Sequence, residues 1–325
     1  MNGLNRKADD VRILLPAATD THGLTSLPTG RNVTQQRGRL IMAEPSGFRL
    51  SGEINAWMRR SHEPDSKTAL IQWRGLHRAL KRTGVDIDVL HQPADWPDYV
   101  FTANAGLCAT INGVETFIPS QFRCAERRGE QALYERAYAK RGFHLAHLFD
   151  AGEYWEGEGD MLEHRGILFG GYGWRSRVSA HQKVANFLGL PLVTLHLVRP
   201  HFYHLDTALS FLDERTALYY PAAFEPASRE LLERHIAAIP EGRLIAVEAA
   251  DAERFACNVI AVDNQLFMNE ISATLTARLQ AEGFNVVRLP LWEFLKSGGA
   301  AKCLVQWAPA FSLDVCAPAL SSAFV

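Results

Sequence analysis

From residue 66 onward two spacings of apolar residues alternate along the chain. Leu70, Trp73, Leu76 and Leu80 recur every three or four positions, which predicts an amphipathic helix with Ser66 as its N-cap. Gly84 follows at the position where a left-handed C′ residue ends a helix, and Val85-Asp86-Ile87-Asp88-Val89 then reads as a strand. The unit recurs four more times. Leu133, Ala137 and Tyr138 lead to Gly142 and the run Phe143 to Phe149; Val184, Phe187 and Leu188 lead to Gly189 and Leu192 to Val198. Leu232, Ile236 and Ile239 lead to Gly242 and Leu244 to Val247, and Leu275 and Leu279 to Gly283 and Val286 to Leu289. An irregular period of roughly fifty residues predicts structural repeats without sequence identity.

Between units lie further strand-like runs, among them Thr116-Phe117-Ile118, Gly166 to Phe169, Ala208 to Leu212 and Gln265 to Met268. Each repeat therefore holds one helix and about three short strands. A doubly wound sheet needs one strand per helix, so the ratio predicts an α/β chain of small mixed sheets around an axis, helices outside. At a similar distance past each glycine stands a polar or reactive side chain: Asn104, Glu156, His204, Asn258 and Cys303. If the units surround an axis, equal phase means the same end, and the five side chains converge on one pocket.

The first convincing strand is Arg39 to Ala43. Residues 1–38 are polar and aperiodic and read as an N-terminal extension of unassigned role, leaving 39–325 as one catalytic domain. Pro45, Gly47 and Gly52 break any regular pattern before residue 64, which predicts a ligand-gating loop at about 47–64.

The chain has 325 residues, 47% of them hydrophobic, and a formal net charge of −2. That supports a full core and leaves no electrostatic footprint for nucleic acid or an anionic membrane, so a small-molecule partner is expected, with a homo-oligomer left open. No apolar run approaches the roughly 18 residues that span a bilayer. The five cysteines are scattered without CxxC spacing, predicting neither a disulfide framework nor a cysteine zinc site, and the expected compartment is a reducing cytoplasm.

Cysteine, histidine and carboxylates in one cavity point to covalent thiolate catalysis with histidine as acid and base. Carboxylates raise a neighbouring thiol's pKa, and a cationic substrate reverses that sign. A planar guanidinium, gripped in two-point fashion by carboxylates such as Glu156 and Asp206, has an electron-poor carbon open to attack. Blander readings stand beside this one. His201, His204 and Asp206 could be part of a metal site; Glu156-Gly157-Glu158-Gly159-Asp160 and Gly170-Gly171-Tyr172-Gly173 could be turns; Arg123, Arg127 and Arg128 read as a solvated helix face; Asn258 could be structural; Cys108, Cys124, Cys257 and Cys316 are assigned to packing.

Phe101-Thr102-Ala103-Asn104, Glu156 to Asp160, His204-Leu205-Asp206, Asn258 and Gly298-Gly299-Ala300-Ala301-Lys302-Cys303 occur in order over most of the chain. In these the segment from about 39 to 325 resembles the guanidino-group modifying enzymes, the amidinotransferase superfamily of arginine deiminases, dimethylarginine dimethylaminohydrolases and arginine dihydrolases. The resemblance implies a five-bladed pseudo-symmetric α/β propeller, the pentein fold, with no metal and no organic cofactor. It implies Cys303 as nucleophile, His204 as general acid/base, and Glu156 and Asp206 as guanidinium grips, with Asp160 and Asn258 lining the substrate site. The product would form through a covalent thiouronium intermediate. Ala103-Asn104 replaces the Arg-Asp of many deiminases, and with Glu53-Ile54-Asn55-Ala56-Trp57-Met58 it looks like the dihydrolase branch, which carries arginine through to ornithine. There Asn55 and Asn104 retain the substrate and Arg175 takes its α-carboxylate, although Ala56 stands where those enzymes carry proline. Dimethylarginine hydrolysis, amidino transfer and, from a different class, a non-catalytic ribosome-binding propeller remain the alternatives.

Overall fold

Each of the five amphipathic segments is a helix: Ser66–Lys81, Glu130–Ala139, Val178–Leu188, Pro226–Ala237 and Ala273–Ala281. The computed structural model describes residues 13–14, 33–34 and 38–313. The first helix begins one residue earlier than its sequence signal. Asp65, not Ser66, is the N-cap: its backbone is extended and its carboxylate accepts the Thr68 N–H at 2.7 Å, which also sets a negative charge at the positive end of the helix. Trp73, Leu76 and Leu80 are buried, joined by Ala69, while Leu70 is only partly covered. Four of the five helix-ending glycines, at 84, 142, 189 and 283, have positive φ. Gly242 differs; a Cβ there would lie 2.0 Å from the Ile236 carbonyl oxygen, so close approach and not handedness requires it.

The helices are crossovers between parallel strands. Arg39–Glu44 pairs with Ile87–His91, Val114–Pro119 with His144–Leu145, Ile167–Tyr172 with Leu192–His196, Thr216–Tyr219 with Arg243–Ala246, and Gln265–Asn269 with Asn285–Leu289. Against the first strand of each pair lies an antiparallel one: Gln306–Ala308, Gly106–Ile111, Met161–His164, Leu209–Phe211 and Ile260–Val262 respectively. Among the described residues this makes five small mixed sheets, each served by one helix. The sheet that holds Arg39–Glu44 borrows its antiparallel strand, Gln306–Ala308, from the other end of the chain.

Three details depart from the sequence expectation. Residues 1–38 are not wholly aperiodic: Ile13–Leu14 and Val33–Thr34 add edge strands to two sheets. The run Phe143 to Phe149 forms a strand only at His144–Leu145; after the Ala146 N–H reaches the Phe117 carbonyl the chain leaves the sheet, and Phe149 packs on Trp155 with ring centroids 5.3 Å apart. Gly170 and Gly171 are not turn residues but lie inside the strand Ile167–Tyr172, where a Cβ on Gly170 would lie 2.8 Å from the His181 ring. Among the described residues no helix is long and apolar enough to cross a membrane.

Candidate active site

Just ahead of the antiparallel strand in four of the five units the backbone makes a single tight turn: Thr102–Asn104, Gly157–Gly159, Leu205–Thr207 and Lys302–Leu304. In the fourth unit the chain instead bends through Phe255, at φ 60°, on its way to Asn258. The repeat phase seen in the sequence is thus a structural position, and it places Asn104, Glu156, His204, Asn258 and Cys303 together.

Cys303 is 2% exposed. Its thiol donates to Asp206 Oδ2 at 3.3 Å and accepts from Asn258 Nδ2 at 3.2 Å. Asn258 also donates to the Asp206 carbonyl at 3.0 Å and accepts the Cys303 backbone N–H at 3.1 Å, so one amide fixes both turns and is structural as well as part of the site. Burial, and then the Asp206 charge, push the thiol well above its ordinary range. Burial likewise raises Asp206 to about 6, against the weaker pull of Lys302 and its own hydrogen bonds, and its Oδ1 has no partner. Lys302 itself is spent on Glu158 at 2.8 Å.

The second half is built around Glu156. Its Oε2 lies 2.7 Å from His204 Nε2 and 3.3 Å from Arg175 Nη1, and its Oε1 accepts the Arg123 N–H at 3.2 Å. Burial works against its charge, yet Arg175, His204 and Arg127 outweigh that and hold the carboxyl well below the usual carboxylate range. Because an ionised Glu156 can only accept, Nε2 carries the hydrogen and the neutral imidazole keeps Nδ1 as its basic nitrogen. Burial lowers His204 to about 4. Asp160, expected to touch substrate, spends both oxygens on the scaffold: Oδ2 accepts Ser176 Oγ at 2.6 Å and Oδ1 the Leu205 N–H at 3.1 Å, steadying the turn after His204.

The loop expected to gate the site is docked against it. Asn55 Nδ2 donates to the Ser297 carbonyl at 3.0 Å and to Tyr203 Oη at 3.3 Å, while Arg175 donates to the Ile54 carbonyl and stacks on Tyr203 at 4.6 Å. The whole Glu156 to Asp160 stretch is buried and no solvated turn. His201 is exposed, and among the described residues no group of three metal-binding side chains assembles. Cys108 and Cys257 are core residues, Cys124 is only partly covered, and Cys316 lies outside the described residues.

Arg127 corrects the sequence reading most sharply. Arg123 and Arg128 are exposed as a solvated face should be, but Arg127 is 3% exposed and bonded to Glu130, the Asp98 carbonyl and Asn104. Asp98 and Tyr203 were also passed over. Asp98 is buried with Oδ1 unpartnered, and Tyr203 donates to the Gly298 carbonyl at 2.7 Å in the loop before Cys303. Asp98 lies in the turn Pro97–Val100, just ahead of the site turn Thr102–Asn104, and its nearness in sequence to Asn104 was the usable signal.

A family model described as N,N dimethylarginine dimethylhydrolase, eukaryotic, matches residues 46–308. The bifunctional arginine dihydrolase/ornithine cyclodeaminase ArgZ of Synechocystis sp. is 39% identical over 269 residues, covering 82% of this chain and 37% of that protein. N(G),N(G)-dimethylarginine dimethylaminohydrolase of Mycobacterium tuberculosis is 36% identical over 270 residues, 83% of this chain and 85% of that one. A crystal structure of the N-terminal domain of ArgZ, covalently bound to a reaction intermediate, matches with a TM-score of 0.77 at 37% identity, covering 83% of this chain and 97% of that domain. The chain spans little more than a third of the length of the bifunctional relatives. A dimethylarginine dimethylaminohydrolase structure at 19% identity and a TM-score of 0.65 shares the mixed α/β fold. On a family match over most of its length, and on its identity to a relative that it nearly covers, this chain belongs to the N,N-dimethylarginine dimethylhydrolase family.

Proposed function

We propose that the chain is a cysteine-dependent hydrolase of a guanidino compound, with free L-arginine the substrate its site fits best. The observation that carries this reading is the Cys303 thiol 3.3 Å from a buried carboxylate that no side-chain cation bonds. Such a pair is poorly set for a neutral substrate and well set for a cationic one, whose charge stabilises both Asp206 and the thiolate. The Cys303 thiol passes its proton to His204 as the sulfur attacks the guanidinium carbon; His204 returns that proton to the nitrogen that the tetrahedral adduct expels as ammonia; water deprotonated by His204 then attacks the thiouronium carbon, and the C–S bond breaks to release a ureido product and, with the proton from His204, the thiol. Glu156 holds the imidazole in the needed tautomer, in the manner of the third member of a triad.

Structures of the N-terminal domain of ArgZ with substrate and with a covalent intermediate, and of AgrE with L-arginine, support the reading at this level of chemistry. Asn104 in place of a carboxylate favours a second hydrolysis, which takes the ureido product to ornithine, ammonia and carbon dioxide. The family match and the mycobacterial relative favour N-methylated arginine as a second reading. For the fold we infer a closed five-bladed propeller carried by residues 39–325, with 1–38 appended. Its support is one cavity lined by Leu107, Met161, Leu209, Ile260 and Trp307, one residue from the antiparallel strand of each sheet.

Purified protein is given L-arginine or asymmetric dimethylarginine, with Cys303→Ser as control, and ornithine, citrulline, ammonia and dimethylamine are measured. Ornithine with two ammonia per arginine, abolished in Cys303→Ser, is the expected result. Citrulline and dimethylamine from the methylated substrate alone would transfer the assignment to the second reading, and turnover that survives Cys303→Ser would sink both.

A further inference from the structure

The cavity that the five antiparallel strands line, about 130 Å³ in volume, carries charge as well as apolar wall. Glu158, Asp206 and Lys302 line the part that adjoins Cys303, since Asp206 bonds the thiol and Lys302 precedes it in the chain. Glu163 adds a third carboxylate, one oxygen of which accepts the Gly166 N–H at 2.6 Å.

The charges in this lining do not balance. Lys302 is the one cation among its described residues, and its Nζ is bonded to Glu158 Oε2 at 2.8 Å and to the Val305 carbonyl at 3.3 Å. The same Glu158 oxygen accepts the Trp307 N–H at 3.4 Å, while Oε1, in a residue only 4% exposed, has no partner. Asp206 Oδ1 is likewise without one. Burial pushes both carboxylates up, and Lys302 answers that only in part for each. Two buried carboxylates thus share one positive charge, and a second would stabilise both.

The walls narrow the choice of cation. A multivalent metal needs an oxygen shell, and among the described residues no group of three metal-binding side chains assembles. An ammonium-type cation needs less: its N–H groups bond carboxylate oxygens one at a time, and aromatic walls such as Trp307 and Phe311 suit a cation stripped of water. We propose that this cavity is a binding site for a small N–H-bearing cation, ammonium or a primary alkylammonium, held by the free oxygen of Glu158 with Asp206 beside it. Ammonium is also what the proposed reaction releases next to Asp206, so the chain's own product is one source; binding itself stands apart from that reading. The bound charge acts through Asp206 on Cys303, where it favours the thiolate.

The test compares chlorides of ammonium, methylammonium, potassium and tetramethylammonium at equal ionic strength, on wild type, Glu158→Gln and Ala261→Leu. The readouts are the thermal midpoint and the pH midpoint for iodoacetamide alkylation, followed by mass spectrometry of the Cys303 peptide. Ala261 lines the cavity, so Ala261→Leu fills the space and leaves the Glu158–Lys302 pair in place. In wild type, ammonium and methylammonium should raise the thermal midpoint by about 2 °C over tetramethylammonium, which has no N–H. They should also lower the alkylation midpoint by about half a pH unit, and both shifts should vanish in either variant. Should Glu158→Gln not fold, Ala261→Leu decides. Shifts that persist in Ala261→Leu place the cation on the substrate side of Asp206 and overturn the inference. Equal shifts with potassium overturn the N–H-bearing class, and equal midpoints in all four salts leave a cavity that holds only water. Arginine turnover is assayed in parallel: a protein that shows the shifts without turnover keeps this inference and loses the arginine reading.

Discussion

His204 and Cys303 each stand beside a buried carboxylate, and the two carboxylates are treated in opposite ways. Glu156 has Arg175 and the Arg123 N–H on it and is held ionised far below the usual range. Asp206 has the Cys303 thiol and an unpartnered oxygen, and burial lifts it to about 6. Under the proposed function the His204 half is complete before anything binds, while the Cys303 half lacks one positive charge. Low dielectric makes that missing charge matter, since a buried carboxylate beside a thiol is costly until a cation joins it. Under the proposed function, the difference teaches that substrate selection lies in the electrostatics of the Cys303 side, and proton handling in the His204 side.

The comparison is broken most severely at His204. His204→Asn removes the group that Glu156 was built to orient, and kcat for arginine is expected to fall by about 10²–10⁴-fold; a loss under tenfold would take His204 out of the proton path. Asp206→Asn attacks the other half. It removes the charge that grips the guanidinium, so KM for arginine rises by about tenfold or more, while the thiol, freed of a like charge, titrates lower. The pH midpoint for alkylation of Cys303 by neutral iodoacetamide reads this directly, and a midpoint that rises or stays would contradict the assignment.

The smallest effect sharpens the contrast through pH alone. Below about 6 Asp206 gains a proton, loses its charge and grips a cation poorly, so kcat/KM for arginine should climb as pH rises to about 6 and then level. His204, at about 4, gives a second limb further into acid. In Asp206→Asn the upper limb should vanish and the lower one persist; two unchanged limbs would mean that the upper belongs to another group.

The repeat was legible because each unit advertises itself locally, with an apolar stripe, a glycine at the helix end and a β-branched run. The site was legible because its residues share one phase of that repeat, so Cys303, His204, Glu156, Asn104 and Asn258 could be found without knowing how the sheets face each other. Arg127 was not. Gln121 to Glu130 is a polar run, and in one dimension a solvated face and a buried ion pair carry the same letters. The available hints were Glu130 three residues on, a helix-neighbour spacing, and Gly129, whose missing Cβ admits Trp96. Asp160 shows the converse: its phase is right, but only the structure reveals that Ser176 and the Leu205 N–H use both oxygens. The cap at Asp65 was missed because two adjacent residues were each chemically competent, and backbone angles chose between them.

The strand Gln306–Ala308 follows Cys303 by three residues and pairs with Arg39–Glu44. During synthesis the chain is threaded out from the other end, and the Arg39 strand waits exposed on one side until the very last units emerge. Three sheets hold only strands made before Cys303, while the Arg39–Glu44 sheet waits for Gln306–Ala308 and the Gly106–Ile111 sheet for Phe311–Leu313, so the thiol arrives together with the strand that seats it. Termination anywhere before residue 303 thus yields a product with two open sheet edges and without the thiol of the proposed site, while a longer chain gains that thiol together with the strand that covers the Arg39–Glu44 edge.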